Sequence, residues 1–146
     1  MTVFYHVTEQ VLKAGDAIHP GHYGRELLTI THPAEPLLFH EYILEQARCR
    51  LFPQKPSRFH AVFLWEDEGD AKFFKRRYRP MQHLYRVEAP LDRVSIHRGD
   101  FHNTSVIGPA LIERAMTYAA YYWECEPMEV AEVVYPGSVT VTQHVP

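Results

Sequence analysis

The sequence predicts an α+β domain, and three observations lead there. The chain has 146 residues, about the size of one domain. Short β-branched or alternating apolar runs are separated by longer stretches with helical periodicity. These runs follow one another without a strict strand–helix–strand rhythm, which favours α+β over a doubly wound parallel sheet. Hydrophobic residues are 46% and charged residues 23% of the chain, near globular averages, which excludes a disordered polymer. A chain of this length buries about two-thirds of its unfolded surface, so residues 1–146 are expected to form a single domain around one core.

Taken in order, Val3 to Val7 alternates weakly and reads as an opening strand, with one helical turn capped by Thr8 over residues 8–12. Residues 13–16 read as a turn, and Ile18 to Arg25, rich in His, Pro, Gly and Tyr, as a loop. The first long helix is predicted from about Pro33, with Pro36 tolerated in its first turn. Its stripe is Leu37, Leu38, Tyr42, Ile43, Leu44 and Ala47, and Phe52-Pro53 ends it. Phe59 to Trp65 reads as a buried strand. Acids at 66–70 and bases at 72–79 match the dipole of a helix whose inward face is Ala71, Phe73, Phe74 and Tyr78. Leu84 to Glu88 alternates as a strand, and Ala89 to Ile107 reads as a loop. Gly108-Pro109 opens a helix to about Trp123, with Leu111, Ile112, Ala115, Met116 and Ala119 as its core face. Met128 to Tyr135 and Ser138 to Val145 are β-branched and broken by Pro136-Gly137, predicting two strands and a turn.

The net charge of −3 argues against a general nucleic-acid binder, although Lys75-Arg76-Arg77 forms a local basic patch. Ten His and 9 Tyr, 8 Phe and 2 Trp are a stock suited to a pocket that stacks and hydrogen-bonds an organic ligand. Cys49 and Cys125 lie far apart and read as two buried thiols. The N-terminus lacks a signal-peptide pattern, and no apolar run approaches the roughly 18–20 residues of a membrane span, so a cytoplasmic protein without a membrane partner is expected. The common phosphate-loop, dinucleotide, zincin and hydrolase motifs are missing. His19 and His22, and His97 and His102, have no Cys or acid at a convincing ligand spacing, so no metal is expected.

The run Phe4-Tyr5-His6-Val7-Thr8, followed by Leu12 and Gly15-Asp16, resembles the first motif of the ADP-ribosyltransferase fold. The small rifampin ADP-ribosyltransferases are similar, as are uncharacterised bacterial domains that open with Tyr-His-Val-Thr. The likeness continues through Ala61 to Trp65 and Ala71, the Tyr85-to-Glu88 strand, and Cys125-Glu126-Pro127 before the late strands. No single motif is specific, but their order and spacing match over most of the chain. The resemblance implies a split β-sheet core with flanking helices and an NAD-dependent transferase that cleaves the nicotinamide–ribose bond. The ADP-ribose acceptor is left open among protein, nucleic acid and small molecule.

It also implies roles. His6 would hold the adenine-side ribose, the Val7 backbone the nicotinamide amide, and Tyr5 and Thr8 the rest of that strand's contacts. Phe63, Tyr5 or Tyr23 would stack on nicotinamide, and Arg25, with Arg58 as the alternative, would pair with the pyrophosphate. The acid that stabilises an oxocarbenium-like centre would be Asp100, with Glu129 and Glu132 behind it and Asp92 further back. The chain departs from the family at Val7, where Gly is usual, and at Phe63, where the stacking residue is Tyr. Both departures, and the unsettled acid, support the alternative of a degenerate member that binds a nucleotide or a partner without catalysis.

Overall fold

Alternation along the opening strand sets the whole arrangement. In the computed structural model, which describes residues 1–32, 35–92 and 94–146, β1 runs Thr2–Thr8. It buries Phe4 on one face and sets Tyr5 and Val7 against a separate apolar cluster on the other. The elements that follow are β2 (Ala17–Ile18), α1 (His22–Leu28), α2 (Pro36–Leu51), a 3-10 turn at Arg58–His60, β3 (Val62–Trp65), α3 (Glu68–Tyr78) and β4 (His83–Ala89). Then come β5 (His97–Asp100), a 3-10 turn at Phe101–Asn103, α4 (Leu111–Glu124), β6 (Ala131–Tyr135) and β7 (Val139–Val145). The predicted α+β class is what is observed.

All seven strands join one sheet in the order β2-β7-β4-β1-β3-β6-β5, and every pairing is antiparallel. β1 pairs with β4 along its full length, Thr2↔Ala89 to Thr8↔His83. With β3 it shares the single pair Tyr5↔Trp65. The sheet therefore opens into a seam between β1 and β3. β6 and β7 do not pair with each other. The turn at Pro136-Gly137 sends β6 to β3 and β7 to β4, on opposite sides of that seam.

One face of the sheet carries Phe4, Val62, Leu64, Tyr85, Val87, Val133 and Val141, covered by Leu12, Leu91, Val94 and Ile96 from loops. On the other face α2 and α4 cover Ala61 and Val134, and α3 covers Trp65 and Leu84. The acidic start of α3 is capped by Asp67, whose side chain accepts from the Asp70 N–H at 3.0 Å. Pro36 sits in the first turn of α2, while the predicted start at Pro33 lies outside the described residues.

Several expectations are corrected. Residues 9–10 form a bend, not a helical turn, because Thr8 Oγ1 accepts from the Gln10 N–H and closes the chain locally. The 18–25 loop contains β2's last residue and the start of α1, and the 89–107 loop contains β5. α2 buries Glu41 and exposes Tyr42. α3 leaves Phe73 half-exposed, and α4 exposes Leu111, Ile112 and Met116 while burying Ala115, Ala119, Tyr122 and Trp123. Both cysteines are exposed, because Cys49 falls on the solvent side of α2 and Cys125 just beyond α4.

Close approach explains two glycines. A Cβ on Gly99 of β5 would lie 2.3 Å from the Tyr122 ring, and one on Gly24 of α1 would lie 2.0 Å from the Phe59 carbonyl oxygen. The Phe59 contact is with backbone, which cannot rotate away, so Gly24→Ala is expected to destabilise by about 3 kcal/mol or more in urea unfolding. β5 supplies a second prediction. His97 is buried against Tyr122 and Trp123, and its Nε2–H donates to the Tyr122 carbonyl at 2.7 Å. Burial lowers its pKa to about 4. The unfolded chain, near 6.5, then binds the extra proton between those values, so this residue's contribution is full above pH 6.5 and is lost as pH falls toward 4, by about 3 kcal/mol at most. Replacing His97 with Gln should flatten the stability profile over that window.

Candidate functional site

The seam between β1 and β3 is bridged by a side chain. Beyond the Tyr5↔Trp65 pair, the Phe63 carbonyl has no β1 backbone partner, and the His6 imidazole takes that place with Nδ1 at 2.8 Å. A carbonyl only accepts, so Nδ1 carries the hydrogen and Nε2 presents a lone pair. Burial lowers the pKa of His6, as does nearby His22, against the smaller opposing effect of the Phe63 bond. The imidazole is therefore neutral at pH 7 and acts as a hydrogen-bond acceptor.

Behind the seam lies a buried charged network. Ser57 Oγ accepts from the Phe59 N–H at 3.2 Å and starts the 3-10 turn that sends Arg58 inward. The guanidinium donates from Nε and Nη2 to Glu41 of α2 at 2.9 and 2.8 Å. Its Nη1 donates to the Tyr122 hydroxyl of α4 at 2.7 Å and to Glu132 of β6. The Tyr122 hydroxyl in turn donates to Glu132 at 2.7 Å, and Tyr23 of α1 donates to Glu41 at 3.1 Å. Arg58 lies 4.6 Å over the Phe63 ring and 5.1 Å over that of Tyr122, and Tyr23 meets Phe63 edge-on at 5.2 Å. Burial disfavours the charged form of Arg58, but Glu132 and Glu41 outweigh it and raise its pKa well above the ordinary value. The same burial, with Glu41 beside Tyr23 and Glu132 beside Tyr122, keeps both phenols protonated.

The structure thus brings Tyr23, Phe63, Arg58 and Glu132 together, and His6 meets this group only through the Phe63 backbone carbonyl. Arg25 follows one turn after His22 on α1 and is exposed on a groove of about 510 Å³ that also takes in Ser57, Phe59 and His60. Tyr5 and Val7 alternate with His6 along β1 and lie on the helix-covered face, against α3. The Tyr5 hydroxyl is raised in pKa by burial and by Glu68 at the start of that helix. Thr8 ends β1 with its hydroxyl on Gln10.

Asp100 stands elsewhere. It closes β5, with β6 between it and β3, so about 14 Å of sheet separates β5 from β1. Its Oδ1 accepts from the His102 N–H at 3.0 Å, and its Oδ2 from those of Met128 and Glu129 at 2.9 Å each. Burial raises its pKa, but the backbone donors prevail and hold the carboxyl below its usual range. Its present contacts cap the turn at 101–103 and tie down the segment before β6. Glu129 is exposed and faces His102 at 3.2 Å, and Asp92 lies in the turn after β4, near Tyr135.

Glu41 and Tyr122 were missed as site residues. The signal for Glu41 was its position three residues before Leu44, a carboxylate on the buried face of a helix. Tyr122 follows Tyr121 and reads as helix filler. Because removing one partner strands the others' buried charge and hydrogen bonds, Glu132→Gln is expected to cost about 3 kcal/mol in chemical denaturation, and Tyr122→Phe about 1–2 kcal/mol.

Among the described residues, no helix is long and apolar enough to cross a membrane. No curated protein matches the chain. A family described as "Protein of unknown function (DUF2441)" matches residues 4–146, nearly the full length, and the chain belongs to that family.

Proposed function

We propose that this chain is an ADP-ribosyltransferase-like nucleotide-binding protein that takes NAD at the seam between β1 and β3. The observation that carries the proposal is the His6–Phe63 contact. The two residues that resemble the family's ribose-binding His and nicotinamide-stacking aromatic are 57 positions apart in sequence and lie 2.8 Å from ring to carbonyl across the seam. The lone pair on His6 Nε2 suits a ribose hydroxyl, which donates. Arg25, exposed on the groove lined by Ser57, Phe59 and His60, supplies a planar fork for two phosphate oxygens.

Binding without turnover is the form that the charges favour. Cleaving the nicotinamide–ribose bond develops positive charge at the ribose carbon, which a free carboxylate beside it stabilises. The carboxylates around Phe63 are Glu41 and Glu132, and both neutralise Arg58. The Asp100 carboxylate is engaged by backbone N–H groups. The ring of Phe63 is likewise met by Arg58 and by the edge of Tyr23.

A second reading, full ADP-ribosyl transfer to an acceptor, draws on the register of β6. Glu132 pairs with Trp65 and Phe63 with Val134, so Glu132 and Phe63 share one face two residues apart. Transfer through this acid requires Arg58 to let go of Glu132 when NAD binds.

Titration calorimetry with NAD, together with chromatography for released nicotinamide, separates these outcomes. We expect binding by the wild type that weakens about tenfold, or 1.4 kcal/mol, in both His6→Ala and Arg25→Ala. Nicotinamide release that a folded Glu132→Gln variant abolishes would establish cleavage of the nicotinamide–ribose bond through this acid, and ADP-ribose on an acceptor, in place of free ADP-ribose, would make it transfer. No binding at millimolar NAD would overturn both readings.

A further inference from the structure

Beyond the seam, α1 carries a second constellation. His22 and Glu26 stand at i and i+4 on α1, so their side chains lie on one face of the helix. Glu9 reaches the same point from the bend after β1, where the Thr8 hydroxyl holds the Gln10 N–H and sets the chain's direction. His22 Nε2 is 2.9 Å from Glu9 Oε1 and 3.3 Å from Glu26 Oε1. One ligand atom from each residue falls within 4.8 Å of the other two.

We infer that Glu9, His22 and Glu26 form a binding site for a single divalent cation of the zinc class. Four-coordinate zinc with ligands at about 2.0–2.2 Å sets its donors roughly 3.3–3.6 Å apart, near the 2.9 and 3.3 Å from His22 to the two carboxylates. One imidazole nitrogen faces oxygens from two carboxylates. Only the Glu9 oxygen meets that nitrogen in hydrogen-bonding geometry, whereas a dication at that point takes the imidazole lone pair and both acids together. An imidazole with two carboxylates selects zinc and its transition-metal neighbours over calcium or magnesium, which favour all-oxygen shells. Glu9 Oε2 also accepts from the Gln82 amide at 3.4 Å, an outer contact that steers the carboxylate.

The side chains of Glu9, His22 and Glu26 are about half-exposed, at 53%, 42% and 50%, so an ion has open access from solvent. Three protein ligands leave one position of a tetrahedral ion for water or an added anion. The site is independent of the NAD proposal, because neither His6 nor Phe63 supplies a ligand.

Zinc titration of the full chain against a chromophoric chelator tests this. We expect one Zn2+ per chain, with affinity falling at least tenfold in both His22→Ala and Glu26→Gln. Their thermal unfolding without zinc should match the wild type, since both side chains are on the surface. His83→Ala removes one of another histidine pair, whose rings lie 5.8 Å apart, and should leave affinity unchanged. Cobalt in place of zinc should give the intense visible absorption of a four-coordinate site, lost in the same two variants. No zinc uptake at about 1 mM, where a binding energy is only about 4 kcal/mol, would overturn the proposal. So would uptake that His22→Ala and Glu26→Gln leave intact.

Discussion

The buried guanidinium of Arg58 is the interaction on which the rest of the structure depends. An isolated charge in a protein interior is prohibitively costly, so Arg58 can be there only if its donors are met. Glu41 comes from α2, Glu132 from β6 and the Tyr122 hydroxyl from α4, while the aromatic face of Phe63 on β3 lies beneath the guanidinium plane. Tyr23 adds α1 through Glu41. Five elements distant in sequence are thereby held to one geometry. An apolar core of the same volume could match the stability, but it would not fix the angle at which each element arrives. The two phenols add donors to the same carboxylates, Tyr23 to Glu41 and Tyr122 to Glu132.

This network also accounts for the seam. β3 is drawn toward α2 and α4 by Arg58, just before it, and by Phe63 within it, while β1 is held by its seven pairs to β4. The strands can stay together only at Tyr5↔Trp65. Past that pair the Phe63 carbonyl needs a donor, and His6 provides one. The histidine is thus a structural substitute for a missing ladder bond through Nδ1 and keeps an acceptor on Nε2, the two roles falling on different ring nitrogens. β6 and β7 leave on opposite sides of the seam for the same reason, each extending the half of the sheet that it joins.

How much of this was legible in the sequence depended on whether a residue's role was local. β1, β4 and α3 were readable because alternation, capping and charge order are properties of neighbours in the chain. β5 was not. His97-Arg98-Gly99-Asp100 has no β-branched residue, and its strand exists because Gly99 admits the Tyr122 ring and β6 offers a free edge. The apolar side chains of α4 misled for a related reason. The small Ala115 and Ala119 let the helix approach α2 closely, which turned Ile112 and Met116 outward. At the site, resemblance picked out His6 and Phe63, but it ranked Glu132 behind Asp100 and Arg58 behind Arg25, because a motif on one strand carries no information on which distant acid or arginine folds against it. Periodicity counted Tyr42 as core and passed over Glu41, since a pattern of apolar residues cannot register a carboxylate buried to meet an arginine.

α1 is where these constraints meet. It has only seven residues, too few for a helix to persist in water on its own propensity, so its place is set by what it touches. Gly24 presses it onto the Phe59 backbone, and Tyr23 anchors it to Glu41 and Phe63. Those two contacts face inward. On its other sides the helix carries Arg25 on the groove and the His22–Glu26 pair beside Glu9. The inner face of this short helix therefore meets one carboxylate partner of Arg58 through Tyr23, while its outer residues stand toward solvent, so packing and ligand contacts are divided between its two sides.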